Sequence, residues 1–393
     1  MSKPITVVQF WAGCPRSANS KWRGFLAVVQ RCHQEGWRNV LVLSRMPDDA
    51  ALVEPFTQAG CEIILQPRSR GNFDAASIRR TYRLLRRLKC DVFHCHNDHT
   101  SPLIAAALAR VPVRIWSKLA MSSHYEEGTT PQGIHRLQAS VRLSAKLAHK
   151  VHTVSDAVRD ELLNLGIAIA TDKVQTIRCP IDLERYNGAD GSAVRRELGV
   201  SPQELLVTAV GHAVAVKGWD VLVRAFKNVA SEFPQARLAL VGSITAAQER
   251  PFVRKIEELV QQMGLSRRVH FLGARSDIPA CLAGSDVFVL PSRSEGQPLA
   301  LMEAMASGLP CIASAVGGIP ETVTHEVDGL LFDREDAGQL TDRLKRMLSN
   351  ADLRQRLGTA ARGSSAAFGL DAYVEAIFAL YSKLLEAKKR PHT

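Results

Sequence analysis

Ser294-Glu295-Gly296-Gln297-Pro298-Leu299-Ala300-Leu301-Met302-Glu303 follows the apolar run Val287-Phe288-Val289-Leu290-Pro291 and leads through Gly308-Leu309-Pro310 into Cys311-Ile312-Ala313. Short apolar, β-branched runs bounded by turn residues read as buried strands, so the order here is strand, loop, short helix, strand. Pro298 fits the first helical position, because the amide that proline lacks would have no acceptor there. That leaves the amides of Leu299 and Ala300 free at a helix N-terminus, a place suited to a phosphate. Gly296 lets the backbone approach a ligand closely. Glu295 stands just before the helix and Glu303 inside it. Carboxylates beside an anion are suited to accepting hydrogen bonds from neutral hydroxyls, such as those of a sugar or a ribose. The competing reading is a helix capped by Ser294, with Gln297 completing a capping box. It would put Gly296 inside the helix and Gln297 in the conformation that a following proline disfavours.

Outward from this stretch, strand and helix signals alternate along the whole chain. Apolar strand runs fall at residues 5–10, 40–43, 62–65, 91–94, 113–117, 150–154 and 174–177, and again at 205–211, 238–242, 269–273, 287–290, 311–313 and 330–332. Strands separated by helices imply parallel sheets wound on both faces, with ligands at the carboxyl ends of the strands. A chain of 393 residues fits two such domains rather than one. The turn-rich segment 187–192 marks the boundary. The expected division is therefore 1–186, 187–370 and a terminal segment 371–393. In that segment Val374, Ile377, Phe378, Tyr381 and Leu384 recur at helical spacing.

Composition narrows the class. Hydrophobic residues make up 46% and charged residues 23%, as in soluble globular proteins. No secretory signal begins the sequence and no apolar run is long enough to cross a bilayer, so a cytoplasmic location, peripheral to a membrane or not, is expected. The eight cysteines form no CxxC pair and read as reduced thiols. The formal charge of +11 is uneven: residues 1–190 hold 26 Lys/Arg against 17 Asp/Glu, and the remainder 24 against 22. An anionic partner for the first half follows. The stretch 75–89 carries Arg79, Arg80, Arg83, Arg86 and Arg87 opposite Ile78, Tyr82, Leu85 and Leu88, and 134–150 carries Arg136, Arg142, Lys146 and Lys150. Each is either a helix lying on anionic lipid headgroups or an ordinary surface helix. No nucleic-acid motif accompanies the charge, so nucleic acid is not an expected partner.

The run from Ser294 to Glu303, with Gly317-Gly318-Ile319-Pro320-Glu321 after it, resembles the signature of the retaining GT-B glycosyltransferases of family 4. The resemblance implies an α/β fold of two Rossmann-like domains facing each other across a cleft, with the last helix crossing back to the first domain. It implies transfer of a sugar from a UDP-, GDP- or ADP-sugar to a hydroxyl of a glycan or lipid-linked acceptor, in polysaccharide or lipopolysaccharide assembly. No cofactor and no metal are implied, and the sequence has no Asp-x-Asp of the metal-dependent type. Glu295 and Glu303 would grip donor sugar and ribose, and Gly296, Pro298, Leu299 and Ala300 would line the diphosphate. Lys217, in Lys217-Gly218, matches the family's phosphate-binding lysine. His212 stands where the family has an arginine, which weakens the clamp or makes it pH-sensitive. Arg275 follows the strand whose end holds the base, and is either a base contact or a surface residue. Only Gly13 remains of the paired glycines after the first strand.

On the acceptor side, His94-Cys95-His96-Asn97-Asp98-His99 could suggest a metal, but it resembles the His-x-His that ends the corresponding strand in the family. His96 is then expected to line the cleft. Lys118 stands where the family has a histidine that contacts the donor sugar, which makes Lys118, or His124 nearby, a catalytic candidate beside Lys217 and Glu295. His124 reads equally as a loop residue. The departures at Lys118 and His212 keep open a catalytically silent nucleotide-sugar-binding subunit, and an epimerase on the same fold is a further alternative.

Overall fold

The computed structural model describes residues 3–11, 13–14, 19–96, 100–122, 131–165, 169–243 and 249–389, and for 131–134 and 389 the backbone alone. Internal contacts divide the chain into residues 1–180 with 370–393, and 181–369. The division falls after Pro180, not after residue 186, for a physical reason. The Ile181 amide donates to the Phe368 carbonyl (2.7 Å), and Ile181 and Tyr186 are buried among Leu301, Met305 and Phe368. These residues belong to the core of the second unit.

The first unit holds β1 (Thr6–Phe10), β2 (Arg38–Leu43), β3 (Glu62–Leu65), β4 (Val92–Cys95), β5 (Val113–Lys118), β6 (Lys150–Thr153) and β7 (Val174–Thr176). All pair in parallel in the order β3-β2-β1-β4-β5-β6-β7. Every residue of β1 is buried, as expected for a parallel strand covered on both faces. The last helix, Leu370–Lys389, packs on this sheet. Its Tyr373, Val374, Ile377, Leu380, Tyr381 and Leu385 join Val7, Val92, Val113 and Ile115 in one core. Burying each aliphatic side chain of that face contributes about 2 kcal/mol.

The second unit holds β8 (Leu205–Val210), β9 (Ala236–Val241), β10 (Val269–Gly273), β11 (Val287–Leu290), β12 (Cys311–Ser314) and β13 (Leu330–Phe332), in the order β10-β9-β8-β11-β12-β13. Both sheets are the doubly wound α/β type read from the sequence. In each the winding reverses next to the first strand, between β1 and β4 and between β8 and β11. Ligands of such sheets bind outside the carboxyl ends of the strands at that reversal.

The basic helices differ in detail from the expected ones. In Ala75–Leu88 the buried face runs through Ser77, Thr81, Leu84, Leu85 and Leu88, and Tyr82 is exposed. Thr81 turns inward because its hydroxyl accepts a hydrogen bond from Gln66 (2.5 Å). Arg79, Arg83, Arg86 and Arg87 are exposed and Arg80 is half-buried. The second helix, Pro131–Leu147, ends before Lys150, which opens β6 instead. Seven of the eight cysteines are buried and all are free thiols. Among the described residues no helix is long and apolar enough to cross a membrane.

Candidate active site

The reversal point of the second sheet is built by two loops pressed together. Lys217 and Gly218 lead from β8 into the helix Trp219–Ala230, and Gly218 has φ 65°. A Cβ there would lie 1.9 Å from the Pro291 carbonyl oxygen at the end of β11, so only glycine permits the approach. The Arg293 amide donates to the Val216 carbonyl (2.7 Å), and its guanidinium forks onto both oxygens of Asp220 (3.0 and 2.9 Å) while also reaching the Ala215 carbonyl. Burial works to raise the Asp220 carboxyl, but hydrogen bonding and charge from Arg293, with Arg224 beside them, outweigh it and hold the group below the usual carboxylate range. So braced, Lys217 Nζ meets Glu295 Oε1 at 2.6 Å, and the Ser292 hydroxyl donates to the same oxygen at 2.7 Å. The Glu295 side chain is only 9% exposed and that of Lys217 18%. A carboxylate so shielded requires the partners it has here.

Gly317 fixes Glu295 from the other side. It has φ 50°, a Cβ on it would stand 1.9 Å from the Glu295 carbonyl oxygen, and the Gly318 amide donates to that oxygen (3.1 Å). Gly317→Ala is therefore expected to cost about 2 kcal/mol more than Gly36→Ala, the latter having φ 72° but open space around it. Urea unfolding of the two variants checks this; equal losses would mean that the Gly317 contact does not constrain the loop.

The helix Leu299–Ala306 begins one residue later than expected, with Pro298 as its N-cap (φ −86°, ψ 75°). That geometry is an inverse γ-turn, and it turns the Leu299 amide back onto the Gln297 carbonyl (3.1 Å). Leu299 therefore does not offer the free amide read from the sequence. Ala300 and Leu301 hold the first-turn amides for which helix geometry supplies no acceptor. Gly296 and Glu303 are buried, Glu303 in the second turn of this helix. His212 follows Gly211 with its ring 65% exposed and Nδ1 3.5 Å from the buried Glu249 carboxylate. Arg275, just after β10, is engaged at its side chain. Its guanidinium is taken by Asp277 (2.9 and 2.8 Å) and Glu197 (2.8 and 3.0 Å), and hydrogen bonds to these two carboxylates raise its pKa further.

In the first unit, Gly13 sits in the loop after β1, where its carbonyl accepts from the Ser44 amide (3.1 Å) and a Cβ would strike the Trp11 indole nitrogen at 2.6 Å. His96 is buried and belongs to a chain of polar groups inside the unit. His152 Nε2 donates to the Ile177 carbonyl (2.8 Å), so its Nδ1 must accept from Ser117 Oγ (2.9 Å). Ser117 then accepts from His94 Nε2 (2.6 Å), and His94 Nδ1 accepts from the Tyr381 hydroxyl (2.6 Å). Tyr381 accepts from Gln9 Nε2 (2.8 Å), and the Gln9 carbonyl from His96 Nε2 (2.6 Å). Following the donors round fixes all three imidazoles as neutral Nε2–H tautomers. Burial drives His94 and His96 well below the ordinary histidine value and His152 down to about 4. Both ring nitrogens of His94 are occupied, which leaves it no lone pair for a metal.

Lys118 likewise has an internal role. It is buried, and Nζ donates to the Ala120 carbonyl (2.6 Å) and pairs with Glu161 (3.2 Å), whose carboxylate also accepts the Ser122 amide (2.9 Å to each oxygen). It ties down the loop after β5. His124 and Asn97 to His99 lie outside the described residues.

Comparison with known proteins agrees with this geometry. Residues 192–364 match the family described as Glycosyl transferases group 1, and residues 23–185 match Glycosyltransferase Family 4. The chain is 31% identical over 287 residues to the UDP-Gal:alpha-D-GlcNAc-diphosphoundecaprenol alpha-1,3-galactosyltransferase of Escherichia coli, covering 70% of each protein. It is a family 4 GT-B glycosyltransferase. The N-acetyl-alpha-D-glucosaminyl L-malate synthase of Bacillus anthracis is 29% identical over 294 residues, 74% of each chain. Against the D-inositol 3-phosphate glycosyltransferase of Corynebacterium jeikeium, 30% identical over 233 residues, the match spans little more than half of that relative (55%). The fold of this glycosyltransferase superposes on Anabaena HepE in complex with UDP and glucose with a TM-score of 0.80 at 19% identity, covering 96% of this chain and 99% of that one. The residues that sequence reasoning missed are the braces: Arg293 and Asp220 in the second unit, and Gln9, Ser117, His152 and Tyr381 in the first. Gln9 and Ser117 carried a signal, as polar side chains inside strands otherwise made of apolar residues.

Proposed function

We propose that this glycosyltransferase moves a sugar, with retention, from a nucleotide diphosphate sugar to a hydroxyl of a glycan or lipid-linked acceptor in polysaccharide or lipopolysaccharide assembly, without a metal. The observation that carries the reading is the pairing of Lys217 with Glu295 at 2.6 Å at the reversal point of the second sheet, beside the first-turn amides of Ala300 and Leu301. A donor diphosphate offers Lys217 a stronger anionic partner, and the exchange frees Glu295 to accept from the hydroxyls of the sugar. Glu303 takes the ribose. In the transfer the bond from the anomeric carbon to the diphosphate oxygen breaks, the acceptor oxygen bonds to that carbon, and its proton passes to the departing diphosphate. Lys217 and the helix amides stabilise the charge that develops on that leaving group. UDP- or UDP-glucose-bound Anabaena HepE and the UDP-Gal-dependent E. coli relative favour UDP over GDP or ADP as the nucleotide.

A thermal-shift screen of UDP-, GDP- and ADP-sugars tests the donor. A ligand present at a hundred times its Kd stabilises by about 2.7 kcal/mol, which is a rise of several degrees. Glu303→Ala is expected to lose most of that rise, measured from its own ligand-free melting temperature. No shift with any nucleotide sugar, or a wild-type shift in Glu303→Ala, would remove the assignment. Binding without turnover across a broad acceptor panel would favour the silent subunit instead, the reading that Lys118 and His212 motivate. Peripheral attachment to an anionic membrane through Arg79, Arg80, Arg83, Arg86 and Arg87 belongs to the same proposal.

A further inference from the structure

The amino ends of β5, β6 and β7 lie at the edge of the first sheet opposite the strand ends described above. There the unit has a cavity of about 420 Å³, lined by Arg114, Lys146, His149, Lys150, Asp172 and Lys173 among others. Four cationic side chains thus face one carboxylate. Among the described residues none of the four pairs with an acidic side chain, and three of them donate to main-chain carbonyls. Arg114 donates to Leu147 (2.8 Å) and Val111 (2.9 Å), Lys173 to Lys146 (3.2 Å), and Lys150 to Asp172. The C-terminus of the helix Pro131–Leu147 explains part of this, since basic groups complement the last carbonyls of a helix. A helix end presents only about half a negative charge, however, which leaves most of the cationic charge unmatched.

The titration behaviour of the groups reports the same crowding. Burial lowers Arg114, and burial with the charge of Arg114 lowers Lys173. Burial, then Arg114, Lys388 and Lys173, push His149 down to about 4. His149 Nδ1 accepts the Arg114 amide (3.1 Å), so the neutral ring keeps its proton on Nε2 as a further donor. Lys146 is exposed and Arg114, His149, Lys150 and Lys173 are half-buried around this space, whose volume lies in the range of small-molecule sites.

We propose that this cavity binds a phosphate-bearing ligand, held by Arg114, Lys146, Lys150 and Lys173, at a site separate from the donor site. A soluble phosphorylated molecule and the phosphate headgroup of an anionic lipid share this chemistry.

Calorimetric titration of the full chain with inorganic pyrophosphate tests it, in a Lys217→Ala background so that the donor site does not contribute. Saturable binding is expected, weakened about 30-fold by Lys146→Glu with Lys173→Glu and less by Lys146→Ala, which alters only an exposed side chain. Arg254→Glu with Lys255→Glu makes the same change of charge at exposed positions of the second unit and is expected to leave the affinity within about twofold of the Lys217→Ala parent. Absence of binding, or equal weakening by the two charge-reversal pairs, would overturn the proposal. Co-sedimentation with phosphatidylglycerol–phosphatidylcholine vesicles, against phosphatidylcholine alone, separates the sources. Vesicle binding weakened by the Lys146 and Lys173 reversals but not by the control pair assigns a lipid headgroup to the cavity; vesicle binding that neither pair weakens, or none at all, beside pyrophosphate binding that the Lys146 and Lys173 reversals weaken, assigns a soluble ligand.

Discussion

Lys217→Ala is expected to lower turnover by about 10²–10³-fold, the usual cost of deleting one donor that stabilises charge developing in the transition state. It is also expected to lower stability by about 3 kcal/mol, because it strands the Glu295 carboxylate, 9% exposed, with only the Ser292 hydroxyl for company. Loss of activity alone would not distinguish chemistry from folding. The pair itself supplies the control. Replacing both members with apolar side chains of similar size, Lys217→Met with Glu295→Leu, removes the unpaired charge, and such exchanges are often close to neutral. Stability is therefore expected to recover by about 2 kcal/mol or more relative to Lys217→Ala while turnover stays lost. Urea unfolding and a radiolabelled sugar-transfer assay on the same three proteins read the two quantities. Recovery of turnover together with stability would show the pair to be a structural brace, and the donor role proposed for Lys217 would fall.

The fold was legible because parallel strands buried on both faces write themselves as short apolar runs, and the structure has a strand at every such run, offset by a residue or two at the ends. The domain boundary was misplaced because the turn-rich 187–192 is the more conspicuous signal, whereas the division is made by Ile181 and Tyr186, whose burial depends on side chains far along the chain. Glu295 was found from the glycine and proline beside it in the loop after a strand, and Lys217 through the resemblance of Lys217-Gly218 to the family's phosphate-binding pair. Their direct contact was not, since 78 positions separate them and only the adjacency of β8 and β11 brings them together. The ion pairs of Arg275 and Lys118 were not legible for one shared reason: composition shows a cation but not its carboxylate, and Glu197 and Glu161 come from elements distant in sequence. His96 was placed at a strand end correctly, but burial depends on what covers that end, here Gln9 and the aromatic rings of Phe25 and Trp11.

The histidine chain of the first unit carries the second large expectation, an acid-labile fold. An unfolded histidine titrates near 6.5. His152 in the folded chain titrates at about 4, and His94 and His96 lie well below the ordinary value, burial being the first cause in each case. Above pH 6.5 both states hold these rings neutral and the stability is complete. As the pH falls from 6.5 toward 4 the unfolded chain binds protons that the folded chain refuses, so stability is lost through that window. Each ring contributes up to about 1.4 kcal/mol per pH unit, and the three together about 4. His149, also lowered to about 4, titrates in the same window, so His152→Gln, which keeps a donor for the Ile177 carbonyl and removes one of four such rings in this unit, is expected to reduce their combined slope by about a quarter. Tyr381→Phe acts differently. It deletes the hydroxyl that donates to His94 and accepts from Gln9, leaves His94 Nδ1 and Gln9 Nε2 without that partner in the core, and is expected to lower stability by about 3 kcal/mol at pH 7 without moving the window, since burial remains. Urea midpoints measured from pH 7.5 to 4.5 read slope and offset separately. A flat profile across that range would mean that the rings meet water before the unit unfolds, and the donor order traced from His96 to Ile177 would then be wrong.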